Sequence, residues 1–131
     1  MTTPFRFEGL SLPVSDVAAS VAFYQALGFT VEQQHDVFAL LRLGTGSIGL
    51  LRASLDSWSP ALRKSVHIEL STEDLDQLYA DLTAQGITFS APPRDRQWER
   101  AMSAADPDGY TVEWSQGLRG HNQPDAAATD E

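Results

Sequence analysis

Apolar and polar positions alternate along this chain in two rhythms, and the two rhythms recur in the same order. From Phe7 to Val14, Leu10, Leu12 and Val14 fall on one face and Gly9 and Ser11 on the other, the period-2 pattern of a half-buried strand. Asp16 is placed to cap a helix whose apolar stripe is Val17, Val21, Tyr24 and Leu27, at spacings of four, three and three. Gly28 is placed to end it in the left-handed conformation. Phe29 to Gln34 reads as a short second strand. Val37 to Leu43 and Ile48 to Ala53 are two more, joined by the hairpin signal Gly44-Thr45-Gly46-Ser47. Ser54 to Leu62, with Trp58 and Pro60, reads as a loop.

The order then restarts. Ser65 to Leu70 is a strand. Ser71-Thr72-Glu73-Asp74 is a helix-start signal with Ser71 and Asp74 at capping-box spacing. Leu75, Leu78, Tyr79 and Leu82 form the stripe and Gly86 the stop. Ile87 to Ala91 is a strand, Pro92 to Gln97 a loop and Trp98 to Ala105 a strand. Asp106-Pro107-Asp108-Gly109 suits a type I turn, with Asp first, Pro second and Gly fourth. The last strand follows, with Tyr110, Val112 and Trp114 on one face and Thr111, Glu113 and Ser115 on the other.

The chain therefore reads β-α-β-β-β twice. Shifted by 58 residues, Leu12 meets Leu70, Asp16 meets Asp74, Val17 meets Leu75, Gly28 meets Gly86 and Phe29 meets Ile87. A series of such matches marks an internal duplication. Each unit is too small to bury a core alone. The expected fold is α+β: two βαβββ repeats, at about 5–53 and 64–116, forming curved sheets around a cleft with the helices outside. They make one domain over 1–119, and the small, polar, acidic stretch 120–131 is expected to be a disordered tail.

The pattern also says which side chains face the cleft. Val66, Ile68 and Leu70 belong under a helix, which turns Ser65, His67 and Glu69 inward. On the last strand Thr111, Glu113 and Ser115 turn inward, and on the first strand Gly9 and Ser11. The repeat sets Gly9 against His67 and Gly49 against Glu113.

Bulk properties narrow the function. The 131 residues carry a net charge of −9, which leaves no basic patch for nucleic acid and is compatible with a cationic ligand. No run approaches the roughly 18 apolar residues of a membrane span. The start lacks a basic segment followed by an apolar one, and there is no cysteine, so a cytoplasmic location is expected.

Val14-Ser15-Asp16, Ser20 to Tyr24 through Leu27-Gly28-Phe29, His67-Ile68-Glu69-Leu70 and Asp106 to Glu113 together resemble the vicinal oxygen chelate superfamily. That superfamily contains glyoxalase I, extradiol dioxygenases, fosfomycin-resistance enzymes and bleomycin-resistance proteins. In its metal-dependent members up to four inward positions supply ligands. By resemblance they fall here on Gly9, Gly49, His67 and Glu113, so two are glycines. No cofactor is expected, though a divalent metal on His67 and Glu113 is open.

Three readings follow. The first is a small-molecule-binding protein like the bleomycin-resistance type, holding a cationic or planar compound with His67, Glu69, Glu113 and Thr111, the aromatics Trp58 and Trp98, and Arg100 for any anionic group. The second is a glyoxalase-like lyase or isomerase, or a dioxygenase, with His67 and Glu113 catalytic or metal-binding and Glu69 as a base. The third is a partner-binding domain. The resemblance implies a homodimer. His35, beside Asp36, reads as solvated, and His121 falls in the tail. Arg94, Arg96 and Arg100 interleave with Asp95 and Glu99 around Trp98 as a salt-bridged loop or edge. Gly44-x-Gly46 is a turn and not a phosphate cradle.

Overall fold

The computed structural model describes residues 2–117; the tail expected over 120–131, with His121, lies outside them. The chain forms two compact units that divide between Ser59 and Pro60.

In the first unit, β1 (Gly9–Val14) runs parallel to β4 (Gly46–Arg52), and β4 pairs antiparallel with β3 (Phe38–Leu43), which pairs with β2 (Thr30–Gln34). The sheet order is β1-β4-β3-β2, and α1 (Val17–Leu27) joins β1 to β2. The second unit repeats the plan. β5 (His67–Ser71) runs parallel to β8 (Thr111–Gly117), followed by β7 (Glu99–Ala105) and β6 (Ala91–Arg96), with order β5-β8-β7-β6. Its main helix is α3 (Leu75–Ala84), preceded by the short α2 (Pro60–Lys64). The architecture is α+β with the βαβββ unit made twice.

The duplication reaches individual hydrogen bonds. Asp16 accepts from the Ala19 amide at 3.1 Å, and Asp74 accepts from the Gln77 amide at 3.1 Å. At the other ends Phe29 N donates to Tyr24 O and Ile87 N to Leu82 O, each at 3.0 Å. Gly28 and Gly86, both with positive φ, make the left-handed residue that such an end requires. Every one of these partners lies 58 residues from its counterpart.

Each helix stripe closes a core over one face of its own sheet. In the first unit Leu12, Val14, Val17, Val21, Tyr24, Leu41 and Leu50 are buried. In the second, Leu75, Leu82, Met102, Ala104, Val112 and Trp114 are buried, with Phe89 between Tyr79 and Trp114. The Asp106 turn is built as expected. Gly109 N donates to Asp106 O at 2.9 Å, and the buried Asp106 carboxylate accepts from the amides of Asp108 and Tyr110 at 2.9 and 3.0 Å.

Several expectations fail, each for a local reason. Asp74 caps α3 by itself, so Ser71 is not half of a capping box and instead ends β5. Ser65 is not on a strand. Its amide and hydroxyl close α2, whose first residue is Pro60, where a missing N–H costs nothing. The strand expected at Ile87 to Ala91 instead runs from Ala91 to Arg96, through Pro92 and Pro93. It is the sheet's edge strand, and its register shifts between Ala91 and Arg94, so the two absent donors cost no ladder bond. Trp98 occupies the turn between β6 and β7 and not a strand. Leu10, expected under a helix, is 60% exposed.

Candidate functional site

β5 and β8 lie side by side in the second unit, with His67 paired to Thr111 and Glu69 to Glu113. Residues two apart on a strand share a face. His67, Glu69, Thr111 and Glu113 therefore share the face opposite the one that α3 covers, where Val112 and Trp114 are buried. His67 Nδ1 stands 3.4 Å from a Glu69 oxygen. One nitrogen of His67 and one oxygen each of Glu69 and Glu113 all lie within 4.8 Å of one another.

Burial, then the charge of Glu113 and a hydrogen bond with it, push the Glu69 carboxyl above its usual range, while His67 pulls the other way. Glu113 is the most enclosed of the three, its side chain 16% exposed. It accepts from Arg96 Nη1 at 3.2 Å, and the same guanidinium pairs with Glu99. In the sequence Arg96 and Glu99 read as part of a salt-bridged loop or edge. The signal for more was the run of alternating charge around Trp98, but only the β6–β7 register shows that Arg96 reaches across to β8.

The other expected residues divide. Thr111 lies on the cluster's face, with its hydroxyl donating to Lys64 O at 2.7 Å. Trp98 is 45% exposed in the turn that separates Arg96 from Glu99. Trp58 belongs to the first unit, half-buried, with its amide donating to Leu55 O at 2.9 Å. Arg100 does not join the cluster. It occupies the helix-covered face, where Asp76 of α3 accepts from it at 3.0 and 3.1 Å and Asp95 at 2.9 Å. Two carboxylates already satisfy it, which removes it as a binder of an anionic group on the other face.

In the first unit the matching places are bare. Ser11 pairs with Gly49 as Glu69 pairs with Glu113, so Gly49 holds the register position of Glu113. Gly9 has φ +148, and a Cβ there would lie 2.0 Å from Ser47 O. The backbone itself excludes a side chain at that position. The donor set of the second unit, one imidazole nitrogen and two carboxylate oxygens, is of the kind that divalent ions take.

The family described as Glyoxalase/Bleomycin resistance protein/Dioxygenase superfamily matches residues 6–114. Bleomycin resistance proteins of Geobacillus stearothermophilus and Staphylococcus aureus are each 29% identical over 125 residues, covering 83% of this chain and 95% of theirs. A solved glyoxalase/bleomycin resistance protein/dioxygenase from Nocardioides is similar, with a TM-score of 0.75 at 24% identity over 97% of this chain and 93% of that one. An antibiotic-binding protein from Streptomyces sp. CB03234 superposes with a TM-score of 0.70 at 24% identity, over 90% of this chain and all of the other. These two structures establish likeness of fold. No helix among the described residues is long and apolar enough to cross a membrane.

Proposed function

This chain belongs to the Glyoxalase/Bleomycin resistance protein/Dioxygenase superfamily, and from that premise we propose that it binds a small cationic or planar compound on the acidic face built by His67, Glu69 and Glu113. The reading is of capture without turnover. The observation that carries it is the direct pairing of Glu69 with Glu113 across β5 and β8. Among the described residues Arg96 pairs with Glu113 and with Glu99, while Glu69 has only the His67 ring beside it, so negative charge is in excess on this face. A ligand's positive charge relieves that imbalance. The exposed ring of Trp98, in the adjoining turn, offers a flat surface for stacking or a cation–π contact. The relatives named for bleomycin resistance and the neighbour named for antibiotic binding support a small-molecule ligand.

Titration calorimetry and tryptophan quenching with bleomycin, followed by mass spectrometry of the recovered compound, test this. Saturable binding with the compound unchanged is expected. E69Q and E113Q should each weaken it by about tenfold, the scale of a hydrogen bond to a charged group. The absence of heat and quenching with bleomycin and with a panel of flat cationic compounds would end the proposal.

A second reading rests on a specific observation, the three donor atoms within 4.8 Å. His67, Glu69 and Glu113 would hold a divalent ion, with Arg96 giving up Glu113. A bound ion would supply Lewis-acid polarisation of a substrate oxygen. Stoichiometric zinc or manganese in protein grown with the metal, lost in H67A, would move the assignment to a metal-dependent enzyme. Two copies of the chain are proposed to pair, as the resemblance implies, and sedimentation velocity reads that directly.

A further inference from the structure

Arg96 bridges two carboxylates on one face of the second sheet. Its Nη1 donates to Glu113 at 3.2 Å, and its Nη2 pairs with Glu99. The two contacts differ in kind. Glu99 is the register partner of Arg96, at the closed end of the β6–β7 hairpin. Glu113 lies further off. The row of Arg94, Ala101 and Ser115 stands between the row of Arg96, Glu99 and Gly117 and the row of Ser103 and Glu113. Ala101 and Ser115 are small and Gly117 has no side chain, so β7 and β8 raise nothing bulky across that path. The hydrogen bond with Glu99 does most to push the Arg96 guanidinium above its ordinary value; burial opposes it, and the charge of Glu113 adds less. Glu99 is therefore the anchor and Glu113 the far contact.

With Arg96 in place the acidic pair is still under-neutralised. The Glu69 carboxyl stays raised, first by burial and next by the charge of Glu113. Arg96 also flanks the turn that carries Trp98. Arg96, Gln97, Trp98 and Glu99 line a hollow of about 320 Å³. The guanidinium thus shows what the far contact accepts: a planar cation that lends separate nitrogens to separate carboxylates. A ligand of the same kind can place one nitrogen on Glu113 and another on Glu69, whose oxygens lie within 4.8 Å of each other. A flat ring attached to it suits the indole of Trp98.

We propose that Arg96 holds the ligand's cation subsite in the free protein, and that the ligand is a planar amidinium or guanidinium compound that displaces it from Glu113 and leaves it on Glu99. This rests on the acidic face being the ligand's seat. The test is titration calorimetry of the full chain at pH 7 with benzamidine and, separately, with benzylamine, which carries the same ring on a single ammonium. Saturable binding of benzamidine is expected, several-fold tighter than that of benzylamine. R96Q should tighten benzamidine binding by about three- to fivefold, the scale of an exposed ion pair that no longer has to be broken. R94Q removes the same charge two residues away on the same face of β6 and should change it by much less. No benzamidine binding, no gain or a loss in R96Q, an equal gain in R94Q, or benzylamine binding as tightly as benzamidine would each overturn the proposal, while bleomycin binding weakened by E69Q and E113Q would leave the acidic face as the ligand's seat. If neither benzamidine nor bleomycin binds the parent or R96Q, both fall together.

Discussion

Glu69 and Glu113 stand opposite one another on neighbouring parallel strands, and the charge of Glu113 helps hold the Glu69 carboxyl above its ordinary value of 4.5. A carboxyl raised on folding binds its proton more tightly in the native state. Its contribution to stability is fully present below the unfolded value and is lost as pH rises through the folded one. E113Q removes the second and third causes and leaves burial, the first. The Glu69 titration, read by carboxyl ¹³C shifts, should therefore move down part of the way toward 4.5 without reaching it. A Glu69 titration identical in E113Q and the parent would show that the two carboxylates do not interact.

The same pairing sets how a cationic ligand responds to pH. The ligand favours the ionised pair, so it lowers the Glu69 value and drives off a proton wherever Glu69 is partly protonated. Affinity should rise as pH climbs from 4.5 through the raised Glu69 value and then level off. Calorimetry in two acidic buffers of different ionisation enthalpy should show net proton release on binding. Proton uptake, or affinity falling over this range, would place the ligand elsewhere.

Arg100 separates structure from binding. Hydrogen bonds from its guanidinium, the largest effect, hold the Asp76 carboxyl below its ordinary value of 3.8 against burial, the next largest, with the charge of Arg100 adding a smaller push the same way. A depressed carboxyl contributes stability that is present above the unfolded value and is lost as pH falls through the folded one. R100Q should therefore make the protein less resistant to acid, with the Asp76 titration moving up toward 3.8. It should leave bleomycin affinity at neutral pH unchanged, because Arg100 lies on the helix-covered face of the sheet. Acid unfolding followed by circular dichroism, beside calorimetry at pH 7, reads both.

The duplication was legible because it is written in local signals: a cap, a stripe and a glycine stop, each meeting its partner at one constant shift. The side of β5 and β8 on which His67, Glu69, Thr111 and Glu113 lie was also legible, since alternation along a strand needs no knowledge of its neighbours. What stayed hidden was non-local. Pro92 and Pro93 read as loop residues, because nothing in the sequence says that β6 is an edge strand on which prolines are tolerated. Arg100 and Arg96 read alike, yet the two occupy opposite faces of the sheet. Only the pairing of β6 with β7, and of β7 with β8, sends Arg96 to Glu113 and Arg100 to Asp76. The short α2 has too few residues for a periodic pattern to announce it.

Ser20 is fully buried in α1, and its hydroxyl has no hydrogen-bond partner among the described residues. An unpaired buried hydroxyl keeps its desolvation cost with no compensation. Alanine removes that cost, and it also suits a helix interior better by up to about 0.7 kcal/mol. S20A should leave stability unchanged or raise it by roughly 1 kcal/mol, measured by urea unfolding. A loss of more than that would mean that the hydroxyl has a partner, such as an ordered water, and that the site is polar by design.

The two glycines at the first unit's register positions should respond in opposite ways. A methyl at Gly9 would meet the Ser47 carbonyl oxygen at 2.0 Å, and the φ of +148 is one that L-residues rarely adopt. Relief requires β1 to move against β4, so G9A should cost about 1–3 kcal/mol or more. A methyl at Gly49 meets the Ser11 hydroxyl at 2.7 Å and Phe38 at 3.5 Å. Ser11 is exposed and its hydroxyl rotates away, so G49A should fall within about 1 kcal/mol of the parent. Thermal and urea unfolding distinguish the two. Position 49 thus takes a Cβ with a rotamer change nearby, whereas position 9 cannot without rebuilding the parallel pair. G9H should lower the melting temperature at every metal concentration. If G9H instead folds with parent stability, the Gly9 backbone is not fixed by β4.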